Sequence, residues 1–493
     1  MSSEEPLYAF IQAAIPWLNE HIQSYILKHV PNTIFVEKFE DFPSNAKRVF
    51  QYCDGWELTR NFALSNKAEM GLINAYPNSD ALARKDHLAR VAEYWAAKRP
   101  DSNLKQHVPV TVRLTLDYCE YVEDALMEAD NLELYYSLEE NAAKDPSERQ
   151  WWILKPALVD CGAGIRLFST TEELASHLES VEFEDTDEDS SESEAAAGEN
   201  GKIEKVEEGE GDNGPYMTVV EADRVNLDFL VTATGAISLD GVSGRQGKAK
   251  KPKYVFKENG RIPSSEMRAF VAQQYVTSIP VIDGRKWHAR AYILCVGRLK
   301  VYVFKEMLAL LAGEDYQPPW KNPSLKASLT NTGLQDEEDF IKKESMRDFW
   351  KVEDDLLPGD WKQRVFDQIC TTSSEIVCAA AYTMADKFVT MDKCFEMFAG
   401  DFLLDDQGNA WLLELNETPA FYQHGVAGPI AKRLMESLIC ITMEHMGAPV
   451  ADDEQNREAK ERFKLVVDES ERLGKSNITA IVSEEEAAMS RYR

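Results

Sequence analysis

The sequence contains no uninterrupted apolar run of about 18 residues or more, the least a helix needs to cross a bilayer. Its opening residues, MSSEEPLYAF, lack the basic-then-apolar layout of a secretory leader. A cytoplasmic address with no membrane attachment is the expectation. No two of the eight cysteines (Cys53, Cys119, Cys161, Cys295, Cys370, Cys378, Cys394, Cys440) form a C-x-x-C pair, which argues against a zinc site and a disulfide framework and leaves buried free thiols. Positive charge is short as well. Against 85 acidic residues stand 54 Lys and Arg, for a formal charge of -31, and a mean field of that sign excludes general nucleic-acid binding.

What is present is a 493-residue chain that is 44% hydrophobic, enough to bury a large core in two or three lobes. The acid is unevenly spread. Residues 182–214, EFEDTDEDSSESEAAAGENGKIEKVEEGEGDNG, have few large apolar side chains and read as a disordered acidic insertion. A basic loop at 243–261 gathers Arg245, Lys248, Lys250, Lys251, Lys253, Lys257 and Arg261. It could mask the insertion, hold an acidic partner, or be a solvated charge run.

The chain divides into an N-terminal lobe over 1–110, a central lobe over about 111–280, a C-terminal lobe over about 281–450, and a charged helix or tail over 451–493. In the first lobe TIFVEKF (33–39) reads as a strand, and KDHLARVAEYWAAKR (85–99) as an amphipathic helix. WWILKP (151–156) is a buried strand ending at Lys155, followed by a loop with Gly162 and Gly164 and a second strand, IRLF. A strand lysine ahead of a glycine loop suits phosphate, the lysine as a point charge and the glycines by exposing backbone N–H groups. It is neither a Walker A loop nor a dinucleotide fingerprint, and alone it is equally an ordinary loop. Residues 360–398 read as helical, and a helix at about 427–447 closes the fold.

The segment GDFLLDDQGNAWLLELNETPAF (400–421) reads as a hairpin turning at Gln407-Gly408, pairing Leu403 with Leu412 and Asp401 with Glu414. Alternation then puts Phe402, Leu404, Trp411, Leu413 and Leu415 on one face and Asp401, Glu414 and Asn416 on the other. Facing carboxylates repel and call for compensation. Two carboxylates and an amide carbonyl suit Mg²⁺, while a surface hairpin with its acids in water explains the pattern as well when the segment is taken by itself.

The order along the chain of lysine strand, glycine loop, VAQQYV (271–276), arginine strand and D…E-x-N hairpin resembles the α+β ATP-grasp fold, in which two α+β lobes enclose ATP. Here a small N-terminal α/β lobe would precede them. Within that superfamily LARKDHL (82–88), WWILKP with GAGI, KWHARAYIL (286–294), VYVFKE (301–306), SLTNT (328–332) and the hairpin are similar to the tubulin tyrosine ligase family, over most of residues 50–445. The resemblance implies ATP and Mg²⁺ as cofactors. It gives Lys155, Gly162 and Gly164 to the phosphates and Lys85 to the nucleotide or acceptor. Gln273, Gln274, Tyr275 and Val276 would line the adenine slot, largely through free backbone groups. Lys286 and Arg290, with Lys305 nearby, would place positive charge at the γ-phosphate and acyl intermediate, and Thr330 and Asn331 would orient phosphate or substrate. Asp401, Glu414 and Asn416 would hold the metal.

The implied function is an ATP- and Mg-dependent ligase. It would join a free amino acid, tyrosine or glutamate, to the carboxylate of an acidic protein tail such as that of tubulin, through an acyl phosphate. No His base is called for, so His288 has no assigned role. His288 stands where the family carries an acid, Lys305 where it carries a second arginine, and Cys161 and Ala163 where many members have basic residues. These departures leave a second reading, a catalytically weakened ATP-binding scaffold that recruits protein partners.

Overall fold

The structure, a computed structural model, describes residues 5–13, 15–53, 61–159, 162–181, 260–330 and 344–469. The acidic insertion, all of the basic loop but Gly260 and Arg261, Asn331 and the last residues of the tail lie outside the described residues.

Three sheets organise the chain. The first, in the order β2-β1-β3-β4, is parallel and comprises β1 (Tyr8–Gln12), β2 (Ile34–Val36), β3 (Arg48–Cys53) and β4 (Met70–Ile73). The second, β5-β8-β6-β7, is antiparallel and comprises β5 (Thr111–Thr115), β6 (Trp152–Pro156), β7 (Arg166–Phe168) and β8 (Ala269–Gln274). The third has seven strands: β9 (Arg285–Val296), β10 (Lys300–Phe304), β11 (Leu308–Asp315), β12 (Met346–Asp348), β13 (Phe395–Leu404), β14 (Ala410–Asn416) and β15 (Phe463–Asp468).

β9 is the axis of the third sheet. Its sequence, RKWHARAYILCV, is buried almost throughout, and its alternation sends odd and even positions into different cores. Trp287, Ala289, Ala291, Ile293 and Cys295 join a cluster that includes Leu88, Val91 and Trp95 of the Lys85–Lys98 helix and Trp361, Val365 and Ile369 of the Trp361–Thr383 helix. On the other face, Tyr292, Leu294 and Val296 pack with Phe50 and Leu72 of the first sheet and with Leu434 and Leu438 of the Ala427–Met446 helix. The first sheet therefore shares its core with the third. The remaining even positions of β9, Lys286, His288 and Arg290, are polar, so the face that begins as core ends as a charged site.

The hairpin departs from its expected register in two ways that cancel. Asp405 and Asn409 close the loop through Asp405 N–H to Asn409 O (3.1 Å), and Gly408 sits at φ 77°, so the turn holds three residues rather than two. Leu403 accordingly pairs with Trp411, not Leu412. A bulge at Leu413 then restores the register, and Asp401 meets Glu414 as expected. The bulge also overturns the expected apolar face. Leu412 and Leu415 enter the core with Phe402, whereas Trp411 and Leu413 are only half-buried and the Trp411 indole donates to Asp405 (2.9 Å). Leu412→Ala should therefore cost about 2–5 kcal/mol in urea unfolding and Leu413→Ala under about 1 kcal/mol. Equal costs would contradict this register.

Two further stretches differ from expectation. The helix after residue 360 ends at Thr383, and β13 begins at Phe395. The chain between them bonds to the N-terminal lobe: Val389 N–H to Asn78 O, Ala81 N–H to Lys387 O, Ile73 N–H to Lys393 O. Helix could not supply those long-range bonds. The segment read as a charged helix or tail holds a short helix, Glu454–Glu461, and then β15, which pairs antiparallel with β10 as part of the large sheet. Among the described residues no helix is long and apolar enough to cross a membrane, and the seven described cysteines are free thiols.

Candidate functional site

Three neighbouring strands align a row of charges. Arg290 of β9 lies opposite Asp401 of β13, which lies opposite Glu414 of β14. Arg290 donates to both Asp401 oxygens at 2.9 Å from Nε and Nη2, and Lys85 Nζ lies 3.5 Å from Glu414 Oε2. The row thus reads plus, minus, minus, plus, and the repulsion of two facing carboxylates is offset from both ends by the protein's own cations. Burial favours the neutral acid at Asp401, but Arg290 and then His288 outweigh it and hold the carboxyl well below the usual carboxylate range. Asn416 completes the group, its Nδ2 3.5 Å from Asp401 Oδ2.

His288 belongs to this site although the sequence reading gave it no role. Its Nε2 is 3.2 Å from Asp401 Oδ1, a close contact without hydrogen-bond alignment, and its Nδ1 is 2.5 Å from Thr330 Oγ1. The signal was available, since period-two alternation places 286, 288 and 290 on one face. Thr330 is buried at the end of the short Leu325–Ser328 helix and its following turn.

Two further cations come from different sheets, Lys155 from β6 of the second and Lys286 from β9 of the third. Lys155, at the end of the fully buried β6, donates to Gln273 Oε1 at 2.8 Å. Lys286 stands 4.0 Å from the centre of the Tyr275 ring, whose hydroxyl donates to Ser328 O at 3.3 Å. Desolvation lowers both lysines, Lys155 to about 8, with Glu414 raising it and Lys85 lowering it, and Lys286 to about 7, with Lys155 lowering it further. Neither forms an ion pair among the described residues. Lys85, at the start of its helix, is tied by Nζ to Val159 O (3.1 Å) and by its own N–H to Ala157 O (3.3 Å), which brings the first lobe against the glycine loop. Gly162 and Gly164 both take positive φ (76° and 70°), and a Cβ at 164 would meet Pro156 at 2.8 Å.

Beside these cations lies an apolar pad of Trp151, Ile153, Ile165, Leu167, Tyr275 and Leu329. The expectation of free backbone groups along 273–276 needs correction. The Gln274 and Tyr275 N–H groups are taken by Val110 O (2.8 Å) and Trp151 O (2.9 Å), because the strand continues its pairing at both edges; Val276 N–H takes no partner among the described residues. Lys305 also stands apart: it is exposed, and its side chain makes no ion pair with the described residues. Among those residues no three acidic, His or Cys side chains converge as a ready cation site.

Four cations, Lys85, Lys155, Lys286 and Arg290, thus face two carboxylates in a largely buried site next to an aromatic pad. The surplus positive charge fits a polyphosphate, and the two carboxylates with Asn416 are hard oxygen donors of the kind Mg²⁺ takes.

Comparison with known proteins agrees with this. The sequence model of the tubulin-tyrosine ligase family matches residues 63–209 and 235–457. A Schizosaccharomyces pombe protein named a probable tubulin–tyrosine ligase is 32% identical over 457 residues, covering 92% of this chain and 96% of that protein. The Saccharomyces cerevisiae probable tubulin–tyrosine ligase PBY1 is 29% identical over 458 residues, 90% of this chain and 52% of PBY1, so the chain spans about half the length of that relative. Among solved structures, the C-terminal domain of Kluyveromyces lactis Pby1, described as an ATP-grasp enzyme interacting with the mRNA decapping enzyme Dcp2, aligns with a TM-score of 0.58 at 20% identity. The alignment covers 94% of this chain and 99% of that domain. The α+β architecture is thereby shown to be the ATP-grasp fold.

Proposed function

This chain belongs to the tubulin-tyrosine ligase family, and from that premise we propose that it is an ATP-dependent carboxylate–amine ligase. It would form an amide between a free amino acid, tyrosine or glutamate, and an acidic protein tail of the tubulin kind. The observation that carries the reading is the pair of buried lysines, Lys155 and Lys286, which form no ion pair among the described residues, Lys155 at the strand end leading into the glycine loop and Lys286 over the Tyr275 ring of the apolar pad.

In this reading the pad with Tyr275 and Leu329, next to Gln273, Gln274 and Val276, would take the adenine. Lys155, Lys286 and the N–H groups about Gly162 and Gly164 would take the phosphates, and Asp401, Glu414 and Asn416 would hold Mg²⁺. When bound, the metal supplies positive charge at the phosphate oxygens and orients them. The acceptor carboxylate attacks the γ-phosphorus, an O–P bond forms as the β–γ bridge breaks, and ADP leaves. The amine then attacks the acyl carbon, expels phosphate and loses a proton. This chain's contribution is mainly to position the reactants and to spread cationic charge over the transferring group. Arg290 and Lys85 would face the acyl phosphate and the incoming substrates, with Thr330 and Asn331 orienting them.

The test is ADP release by the full chain with Mg-ATP and detyrosinated tubulin across the twenty amino acids. Turnover that needs one amino acid and the acceptor together supports the ligase, and tight ATP binding without turnover against tubulin refutes it for that acceptor. The likeness to a Pby1 domain that interacts with a decapping enzyme favours one second reading, an ATP-binding scaffold for a protein partner. It predicts nucleotide-dependent partner capture without amino-acid-dependent ADP release.

The lysines give a pH signature. A lysine at about 7 folded and about 10.5 unfolded leaves the unfolded chain holding more protons across that window, so stability rises with pH through it. Phosphate arriving beside Lys286 and Lys155 drives their pKa values back up. Nucleotide binding at pH 8 should therefore take up about one proton, measured by calorimetry in buffers of differing ionisation enthalpy, and affinity should weaken as pH rises above 8. Lys286→Met should remove most of the uptake.

A further inference from the structure

The carboxylates assigned to the metal are already occupied. Both oxygens of Asp401 receive Arg290 at 2.9 Å, His288 stands 3.2 Å from one of them, and Glu414 faces Lys85 at 3.5 Å. Asp401 is buried and Arg290 largely so, which limits the water that can compete for the pair, and no three acidic, His or Cys side chains converge among the described residues. A divalent cation reaching this site without nucleotide must displace a guanidinium and an ammonium from the carboxylates they neutralise.

A polyphosphate changes that balance. It offers anionic oxygens beside Lys155 of β6 and Lys286, which shares the charged face of β9 with Arg290, and so gives the displaced cations a new partner. We infer that Arg290 and Lys85 are internal stand-ins for the divalent cation, which binds this protein only together with a nucleotide. The inference rests on the reading of the site as a metal–nucleotide site and adds an order to it: the phosphates draw the two cations off the carboxylates, and the metal takes the places they vacate. It makes Arg290 a competitor of the metal as well as a group facing substrate.

The population argument gives the size of the effect. If the ion pairs are open in a small fraction of molecules, the apparent affinity for metal alone falls by that fraction, and removing a competitor restores it. The experiment is Mn²⁺ binding to the full-length chain, read from the electron paramagnetic resonance of free Mn²⁺, with and without ADP. The wild type should bind Mn²⁺ strongly only with ADP. Arg290→Met and, independently, Lys85→Met should bind Mn²⁺ alone about 10–100-fold more tightly than the wild type, and Mn²⁺ should raise their Tm while leaving that of the wild type unchanged. Lys85→Met removes the more exposed of the two pairs and answers the question even if Arg290→Met fails to fold. Mn²⁺ binding to the wild type as tight without ADP as with it, or no tightening in a folded variant, overturns the inference. Absence of both ADP and Mn²⁺ binding in the wild type overturns the metal–nucleotide reading itself.

Discussion

Asp401→Asn should cost the fold about 3–5 kcal/mol, seen as a lower urea midpoint at unchanged slope. Asp401 is 5% exposed and its two oxygens hold Arg290, so the substitution leaves a buried guanidinium facing a neutral amide. Most of that penalty is the uncompensated charge rather than the lost attraction. The double variant Asp401→Asn/Arg290→Met should consequently recover much of it, since exchanging a whole buried ion pair for neutral groups is often nearly neutral. Turnover should stay lost in both, which separates the stabilising and functional uses of one carboxylate. The pH dependence has a fixed sign. A depressed folded pKa contributes stability that is complete above the unfolded aspartate value, about 3.9, and is lost as pH falls below it. The gap between wild type and Asp401→Asn should thus narrow on acidification below pH 4.

Much of this site was legible because it is written in period two. D…E-x-N faces its partner across a hairpin, so alternation alone puts Asp401, Glu414 and Asn416 on one face, whereas Lys286 and Arg290 are implied only by the likeness of KWHARAYIL to the family. His288 has no use as a base in this chemistry, but it shares the face of Lys286 and Arg290 and so belongs to the site. The hairpin shows the limit of counting. A three-residue loop and a bulge are each one-residue departures that the apolar pattern tolerates, because Leu403, Trp411, Leu412 and Leu413 are all acceptable on either face. The contact between Lys85 and Glu414 could not be read either. It depends on residues 387–393 pairing with 73–81, a long-range arrangement that leaves no local periodicity.

Glu414→Gln should lower ATP-dependent turnover on the order of 10³-fold, the size expected when a positioned charge is withdrawn from a transferring phosphoryl group, while the fold survives. Unlike Asp401, Glu414 retains some exposure and makes one ion pair among the described residues, with Lys85, which keeps its hydrogen bond to Val159 O when the carboxylate is gone. A merely structural role would move Tm and turnover together; here turnover should collapse with Tm almost unchanged. A second readout follows from Lys155. Burial holds that lysine down and Glu414 is the first of the groups that raise it, so removing the carboxylate lowers Lys155 further from about 8. More of it is then neutral at pH 7.5, and metal-free nucleotide affinity should fall off with pH about one unit earlier than in the wild type. If the pH profile of nucleotide binding is instead superimposable on that of the wild type, Glu414 and Lys155 are not coupled and do not share one phosphate site.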